Sequence, residues 1–152
     1  LREAPKTTET LKKYNITAGV RSATDFNLLR NNGMEVERKN HLNPDKDSEL
    51  SYVEQCFSDK DIPVIAATDY MRSYSEQIRP YIKSPYHTLG TDGYGRSDSR
   101  ETLRDFFEVD STNISRSAIY ALYKKNHFSK EQIIDFYKDL EVDSNKPNPW
   151  EV

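Results

Sequence analysis

At 152 residues the chain has the length of one domain. Its apolar share of 35% is below the usual share of about 45–50%, and its charged share is 31%. The net charge of −3, without a basic run longer than a pair, gives no electrostatic reason to expect a nucleic-acid partner. No apolar stretch approaches the roughly 18 residues of a membrane span, and a single cysteine cannot form an internal disulfide. The composition therefore predicts a cytoplasmic protein that binds neither nucleic acid nor membranes.

The first third of the chain alternates helical and extended patterns. Residues 3–14 have the spacing of a helix, with Pro5 in the first turn, where proline is tolerated. Residues 18–23 (AGVRSA) favour a short strand. The helix that follows is expected to be short, because the Asn-Asn-Gly sequence at 31–33 is a helix-ending signal. Residues 34–47 are polar and have no period, which predicts a loop.

The middle of the chain predicts a helix, a strand, a second helix and a second strand. Ser48 is a candidate cap for a helix with one apolar face, which is formed by Leu50, Val53, Cys56 and Phe57. Residues 62–68 form an apolar run bounded by aspartates, typical of a strand buried on both faces. Helical spacing then extends over 70–82, and residues 86–89 predict a further strand.

Three helical patterns follow in the last third of the chain. Asp98 stands three residues before Glu101, which resembles a capping box at the start of the first pattern. The second pattern covers 111–126, and the sequence SKEQ at 129–132 is a capping box for the third. Residues 143–152 are rich in proline and predict an extended tail.

Strands that alternate with helices predict an α/β fold with a mostly parallel sheet. Three strands are evident, yet the first element is a helix. In a parallel sheet a strand normally precedes the first helix. We therefore expect a strand upstream of Leu1, and a chain that is the C-terminal piece of a longer protein. The expected domain covers 1–142 and is followed by the tail at 143–152.

The glycine-containing turn at 90–95 is the candidate site, because it follows a strand and precedes a helix, where free backbone N–H groups can bind anions. However, it matches neither of the two nucleotide-binding glycine patterns, and Asp92 and Asp98 would repel a phosphate. The pattern therefore favours a structural turn or an interface loop, with an anion site as the alternative.

No other pattern is specific for catalysis or for a metal. The sequence from Asp45 to Cys56 begins like a calcium loop but has leucine and cysteine where glycine and glutamate are needed. The three histidines are too scattered along the chain to form a ligand pair. Cys56 belongs to an apolar stripe, so a position in the core is expected of it rather than a role as a nucleophile.

Two long motifs resemble those of a known family. They are PVIAATDYMRSYSEQIRPYI at 63–82 and LGTDGYGRSDSRETLRDFFEVD at 89–110. Both are similar to motifs of the C-terminal domain of the homodimeric, bacterial type of pyruvate dehydrogenase decarboxylating component. Tyr94 stands where that family has phenylalanine, and a looser resemblance extends over nearly the whole chain.

The resemblance implies a transketolase-type C-terminal domain, a three-layer α/β/α sandwich with a mostly parallel sheet, which here lacks its first strand. It implies a full-length enzyme that uses thiamine diphosphate and magnesium to decarboxylate pyruvate. That enzyme passes the acetyl unit to the lipoyl group of dihydrolipoyl acetyltransferase. The implied partners are its own N-terminal and middle domains, the second subunit of a homodimer, and the acetyltransferase.

In that family the cofactor lies between the first two domains. The thiamine signature, Gly-Asp-Gly followed by Asn-Asn, is also missing from this sequence, and Thr91-Asp92-Gly93 has no such asparagine pair downstream. The resemblance therefore assigns the chain no catalytic, cofactor-binding or metal-binding residue. We expect the chain to be inactive alone and to serve assembly of the homodimer.

A structural role at an interface is expected for the turn residues that match the family motif, which are Asp92, Gly93, Tyr94, Gly95, Arg96, Ser97, Asp98 and Arg100. Gly93 and Gly95 are expected to have backbone angles closed to other residues, and Asp98 to cap the helix. Arg96 and Arg100 are expected to reach carboxylates across a domain or subunit boundary. An alternative is that the same stretch faces the active-site entrance or the acetyltransferase.

A rival hypothesis comes from a different functional class. In it the chain is a free-standing, non-enzymatic α/β binding module, which uses the turn at 90–100 to bind a small anion or a partner protein. Thiamine-binding domains ahead of Leu1 would favour the enzyme, whereas a start codon directly before Leu1 would favour the module.

Overall fold

The structure is a computed structural model that describes residues 2–151. Leu1 and Val152, the end residues of the expected domain and tail, lie outside the described residues. Within that range the elements are, in chain order, α1 (Glu3–Lys12), α2 (Phe26–Leu42), α3 (Tyr52–Cys56), β1 (Val64–Ala67), α4 (Arg72–Glu76), a 3₁₀ helix (Arg79–Tyr81), β2 (Tyr86–Leu89), α5 (Arg100–Phe106), α6 (Ser111–Lys124) and α7 (Lys130–Asp139).

The sheet lies between two layers of helices. β1 and β2 run parallel, with Val64 opposite Tyr86. Successive side chains of a strand point to opposite faces. Val64 and Ala66 accordingly pack on an apolar cluster shared with α2, α3 and the 3₁₀ helix, whereas Ile65 packs on a cluster shared with α5 and α6. The α/β class and its α/β/α layering are therefore confirmed.

The strand expected at 18–23 is absent from the structure. Residues 17–25 are exposed and have no regular secondary structure, and no described strand lies beside them. A strand needs a paired neighbour and a buried face to be stable, and this segment has neither. The strand expected at 62–68 is present as β1. Its first three side chains are half-buried and Ala67 is exposed, so the prediction that this strand is buried on both faces was wrong.

α2 is longer than the sequence indicated, because it continues through Gly33 to Leu42. Asp25 caps this helix, and its Oδ1 accepts from two backbone N–H groups at 2.9 and 3.1 Å. Gly33 serves close packing instead of ending the helix, because a Cβ there would lie well inside van der Waals contact with the ring of Tyr81. The loop predicted over 34–47 begins only after Leu42.

Two further helix boundaries differ from the predicted ones. Ser51 caps α3 in place of Ser48: its Oγ accepts from the Glu54 N–H at 3.3 Å, and Glu54 Oε2 accepts from the Ser51 N–H at 2.9 Å. The helix predicted over 70–82 is divided into α4 and the 3₁₀ helix. Pro80 lies in the 3₁₀ helix and has no N–H, which prevents a continuous α-helix there.

The helices of the last third lie where the sequence predicts them. Ser129 Oγ accepts from the Gln132 N–H at 3.3 Å, and Gln132 Oε1 accepts from the Ser129 N–H at 2.8 Å, which confirms the capping box of α7. α1, α6 and α7 share a third apolar cluster around Leu11, Ile119 and Ile133. None of the helices between residues 2 and 151 is both long and apolar enough to cross a bilayer.

Candidate functional site: the glycine turn

The turn at 90–100 begins against the segment that follows β1. Gly90 is buried, and a Cβ there would lie 2.6 Å from the carbonyl oxygen of Tyr70. The Thr91 N–H donates to the same Tyr70 oxygen at 2.9 Å, and Thr91 Oγ1 donates to the Asp69 carbonyl at 3.0 Å. The ends of β1 and β2 are therefore joined, because Gly90 lets the two backbones approach.

Asp92 caps α4 from a distant part of the chain. Met71, the residue before that helix, supplies no side-chain cap, and the Arg72 N–H instead donates to Asp92 Oδ1 at 3.1 Å. Arg72 Nε also lies 3.1 Å from Asp92 Oδ2, but it makes no well-directed hydrogen bond, so this second contact is electrostatic. A carboxylate at a helix N-terminus is stabilised by the positive end of the helix dipole.

The two later glycines of the turn differ from each other. Gly93 has a φ of 109°, a backbone angle of the kind expected for it, and a Cβ there would lie 2.9 Å from the Pro149 carbonyl oxygen. Gly95 does not have a positive φ, and a Cβ there would meet no atom within 4 Å. The expectation of a left-handed backbone angle was therefore wrong for Gly95, which lies in open space.

Asp98 does not cap α5. Ser99 is the capping residue, with an extended backbone and an Oγ that accepts from the Thr102 N–H at 3.2 Å. Asp98 Oδ1 accepts from the Ser99 N–H at 2.6 Å, one residue before the helix. The cap was therefore predicted one residue early, because Ser and Asp are almost equally good caps, and α5 begins with a single Ser99 cap instead of the predicted capping box with Glu101.

The remaining motif residues lie on the surface of the turn. The Arg96 guanidinium carbon lies 4.4 Å from the ring centre of Phe106, beside a shallow hollow of about 300 Å³. Tyr94 is 80% exposed, and Ser97 and Arg100 are exposed as well. Among residues 2–151 no carboxylate pairs with Arg96 or Arg100, so their contact with a neighbouring domain or subunit stays a prediction.

Sequence reasoning missed Arg104, which joins three elements beside the turn. Its Nη2 lies 3.0 Å from Asp69 Oδ2 and its Nη1 lies 3.3 Å from Glu3 Oε1. Glu3 Oε2 in turn accepts from the Ser111 N–H at 3.2 Å, at the start of α6. The hydrogen bond to Asp69 is the main cause that raises the pKa of Arg104. These partners are far apart along the chain, so no local pattern could have indicated them.

Sequence reasoning also missed the packing of the tail. Lys146 Nζ donates to Asp105 Oδ1 at 2.9 Å, and the Arg72 guanidinium carbon lies 5.2 Å from the ring centre of Trp150. The expected extended tail therefore folds back onto the turn and α5. Proline-rich composition indicates the lack of a helix or strand, but it contains no information on what such a segment contacts.

Two other features lie away from the turn. An open groove of about 780 Å³ lies between α6, α7 and the tail, and Arg116 pairs with Glu108 at its edge at 2.8 Å. Cys56 is a free, half-buried thiol at the end of α3 and does not belong to an apolar cluster, which corrects its expected core position. In the described part of the chain no three His, Cys, Asp or Glu side chains are grouped as a metal site requires.

The chain is similar to proteins of known family. A family model described as the transketolase-like TK C-terminal domain matches residues 1–110. The pyruvate dehydrogenase E1 component of Buchnera aphidicola subsp. Acyrthosiphon pisum is 45% identical over 140 residues, which is 91% of this chain and 16% of that protein. The E1 component of Pseudomonas aeruginosa is 42% identical over 151 residues, which is 98% of this chain and 17% of that protein.

The E1 component of Escherichia coli (strain K12) is 38% identical over 151 residues, again 98% of this chain and 17% of that protein. The chain thus spans 16–17% of the length of these relatives. The similarity confirms the resemblance that the two motifs at 63–82 and 89–110 indicated. Because the family model matches well over half of its residues, the chain belongs to the family of transketolase-like C-terminal domains.

Proposed function

We propose that this chain is the C-terminal domain of a pyruvate dehydrogenase E1 component, and that it serves the assembly of that enzyme instead of its chemistry. Similarity to proteins of that name over 91–98% of the chain supports the assignment. The proposed full-length enzyme is a cytoplasmic homodimer that decarboxylates pyruvate with thiamine diphosphate and magnesium. It passes the acetyl unit to the lipoyl group of dihydrolipoyl acetyltransferase.

One observation carries the assembly role: the motif residues of the turn hold backbone segments together. Both oxygens of Asp92 contact Arg72, and Gly93 makes room for Pro149. Ser99 uses its hydroxyl to cap α5. A carboxylate that pairs with a cation and accepts from a backbone N–H is well suited to fix the position of a loop.

The stretch Thr91-Asp92-Gly93 does not fit a site for thiamine diphosphate and its magnesium ion. Magnesium bound to a diphosphate takes protein carboxylate oxygens that are free to coordinate it. In the sequence Thr91-Asp92-Gly93, the Thr91 hydroxyl donates to the backbone carbonyl of Asp69, and the Asp92 carboxylate pairs with Arg72. We therefore place the cofactor on other domains of the full-length protein and assign no step of the reaction to this chain.

The sheet has an edge at which the proposed assembly can be completed. The Val64 and Thr68 N–H groups donate to carbonyls of the β2 segment at 2.8 and 3.0 Å. In a parallel ladder the intervening residues, Ile65 and Ala67, direct their backbone groups to the opposite edge. No strand within residues 2–151 pairs with that edge. An unpaired edge is a template for another strand, and we propose that a strand from elsewhere in the full-length protein pairs there.

The surface of the turn is the proposed contact with a neighbouring domain or the second subunit. Arg96 and Arg100 are exposed there, beside the 80% exposed ring of Tyr94. Tyrosine and arginine are enriched at protein–protein interfaces, because tyrosine supplies apolar area with a polar tip and arginine can hold a carboxylate with two hydrogen bonds.

An activity assay of the full-length protein tests the proposed function. Pyruvate-dependent reduction of an artificial electron acceptor is measured with and without thiamine diphosphate and magnesium, beside the chain alone. Turnover that requires both additions is expected from the full-length protein, and none from the chain. A full-length protein without turnover would contradict the enzyme assignment and favour the binding module that uses residues 90–100.

Sedimentation of the full-length protein tests the interface separately. The double variant Arg96→Ala/Arg100→Ala is expected to weaken the dimer, whereas Arg38→Ala, which removes an exposed arginine of α2, is expected to leave it unchanged. Dimerisation, stability and activity that are all unchanged in the double variant would exclude the turn as the contact, even if the protein decarboxylates pyruvate.

A further inference from the structure

The segment that follows α7 is attached to the turn region at two places. Lys146 Nζ donates to the carbonyl oxygen of Asp105 at 2.6 Å and to its Oδ1 at 2.9 Å, which anchors the segment to α5. Further along, the buried Pro149 and the backbone of Trp150 lie directly over Gly93. A Cβ on residue 93 would be 2.9 Å from the Pro149 oxygen and 3.1 Å from the Trp150 Cα.

The side chain of Trp150 adds a third attachment through Arg72. The guanidinium carbon lies 5.2 Å from the centre of the Trp150 ring, and the Nε of the same guanidinium lies 3.1 Å from Asp92 Oδ2. Tryptophan is the aromatic side chain that attracts a cation most strongly. Arg72 therefore connects the tail to the carboxylate at the start of the turn.

The turn has few backbone–backbone hydrogen bonds of its own. The Thr91 N–H donates to Tyr70, and the next backbone–backbone hydrogen bond along the turn is the one that Ser99 accepts from Leu103. Between them, residues 92–98 form no backbone–backbone hydrogen bond with any described residue, and 93–98 are exposed. A segment with few buried contacts and no such bonds opens easily, unless another segment packs on it.

We propose that residues 146–150 form a latch that holds the turn at 90–100 in one conformation. Lys146 fixes one end of the latch and Trp150 the other, and Gly93 is the position at which the latch touches the turn. The latch acts within the chain, whether or not the full-length protein decarboxylates pyruvate. Release of the latch frees the turn and leaves the three apolar clusters intact, because no residue of the latch belongs to them.

Limited digestion of the full chain with trypsin tests the latch, because Arg96 and Arg100 lie in the turn and the rate of their cleavage rises with the population of its open form. The rate of cleavage after Arg96 is divided by the rate after Arg21, which lies in the exposed segment at 17–25 and reports general loosening. Trp150→Ala is expected to raise this ratio about tenfold, the change that ~1.4 kcal/mol produces. Tyr52→Ala, which removes an exposed aromatic ring of α3, is the control and should keep the wild-type ratio.

A milder variant keeps the test decisive if Trp150→Ala unfolds the chain. Lys146→Gln removes one largely buried charge. Trp150, the single tryptophan of the chain, then reports on the latch by fluorescence. Stronger acrylamide quenching of Trp150 is expected, with a severalfold rise in the cleavage ratio. Quenching and a ratio that stay at wild-type values in Lys146→Gln would overturn the latch, as would an unchanged ratio in a folded Trp150→Ala variant.

Discussion

The ring of Tyr81 packs directly against Gly33 in the middle of α2. Both residues are buried, and the ring belongs to the apolar cluster that includes Val53 and Ile78. A side chain at position 33 would occupy the space of the ring. The layer of helices on this face of the sheet therefore depends on the missing Cβ.

Gly33→Ala is expected to lower the free energy of unfolding by about 1–3 kcal/mol, the usual cost of overpacking a core. The loss is expected even though alanine is the better helix former by about 1 kcal/mol. Urea unfolding measures it. Gly19→Ala is the control, because a Cβ there would meet nothing within 4 Å, and it should change stability by less than about 1 kcal/mol. A Gly33→Ala variant as stable as wild type would contradict the contact with Tyr81.

Gly93→Ala and Gly95→Ala are expected to differ, although the two glycines are only two residues apart. Gly93→Ala should cost about 1–3 kcal/mol, because alanine rarely adopts a φ of 109° and its Cβ would press on Pro149. Gly95→Ala should stay within about 0.5 kcal/mol of wild type. Thermal unfolding of both variants measures the difference. Equal losses would mean that the turn does not depend on the backbone angle at Gly93.

The stability of the chain is expected to fall in acid, in part through Glu76. The hydrogen bond from Arg79 lowers the pKa of Glu76 below its ordinary value of 4.5, and the bond from Thr88 acts in the same direction, against partial burial. A carboxyl group with a lowered folded-state pKa stabilises the fold above its unfolded pKa, and this contribution is lost as the pH falls through the folded pKa.

Urea unfolding between neutral pH and about pH 3 measures this loss, which is expected below the ordinary value of 4.5. Glu76→Gln should flatten part of the acid decline, because the glutamine cannot be protonated there. Glu35→Gln, a change at an exposed position of α2, is the control. An acid decline as steep in Glu76→Gln as in wild type would show that the pair with Arg79 contributes nothing to it.

Hydrogen exchange of the β1 amides tests the proposed strand addition. In the chain alone, the amides of Ile65 and Ala67 are expected to exchange at least about tenfold faster than the Ala66 amide, which faces β2. In the full-length protein the Ile65 and Ala67 amides should become protected to a similar degree. Fast exchange of both amides in the full-length protein would contradict the pairing of another strand at this edge.

The sequence by itself determined the features whose causes lie close together in the chain. The capping box at 129–132, the strand at 86–89 and the family motifs at 63–82 and 89–110 are all contiguous. A cap needs partners three residues apart, and a strand of this kind needs a short β-rich run. The family and the α/β class could therefore be predicted from the sequence.

Only the tertiary structure decided the features whose partners are distant. In the sequence Gly33 indicates a helix end, whereas in the structure the ring of Tyr81 packs on it within α2. The sequence gives Asp92 a structural role in the turn, and the fold shows that it caps α4. Arg104 and the latch at 146–150 join elements that no pattern relates. In each case the free energy comes from packing or charge pairing across the fold, which overrides local preference at a single residue.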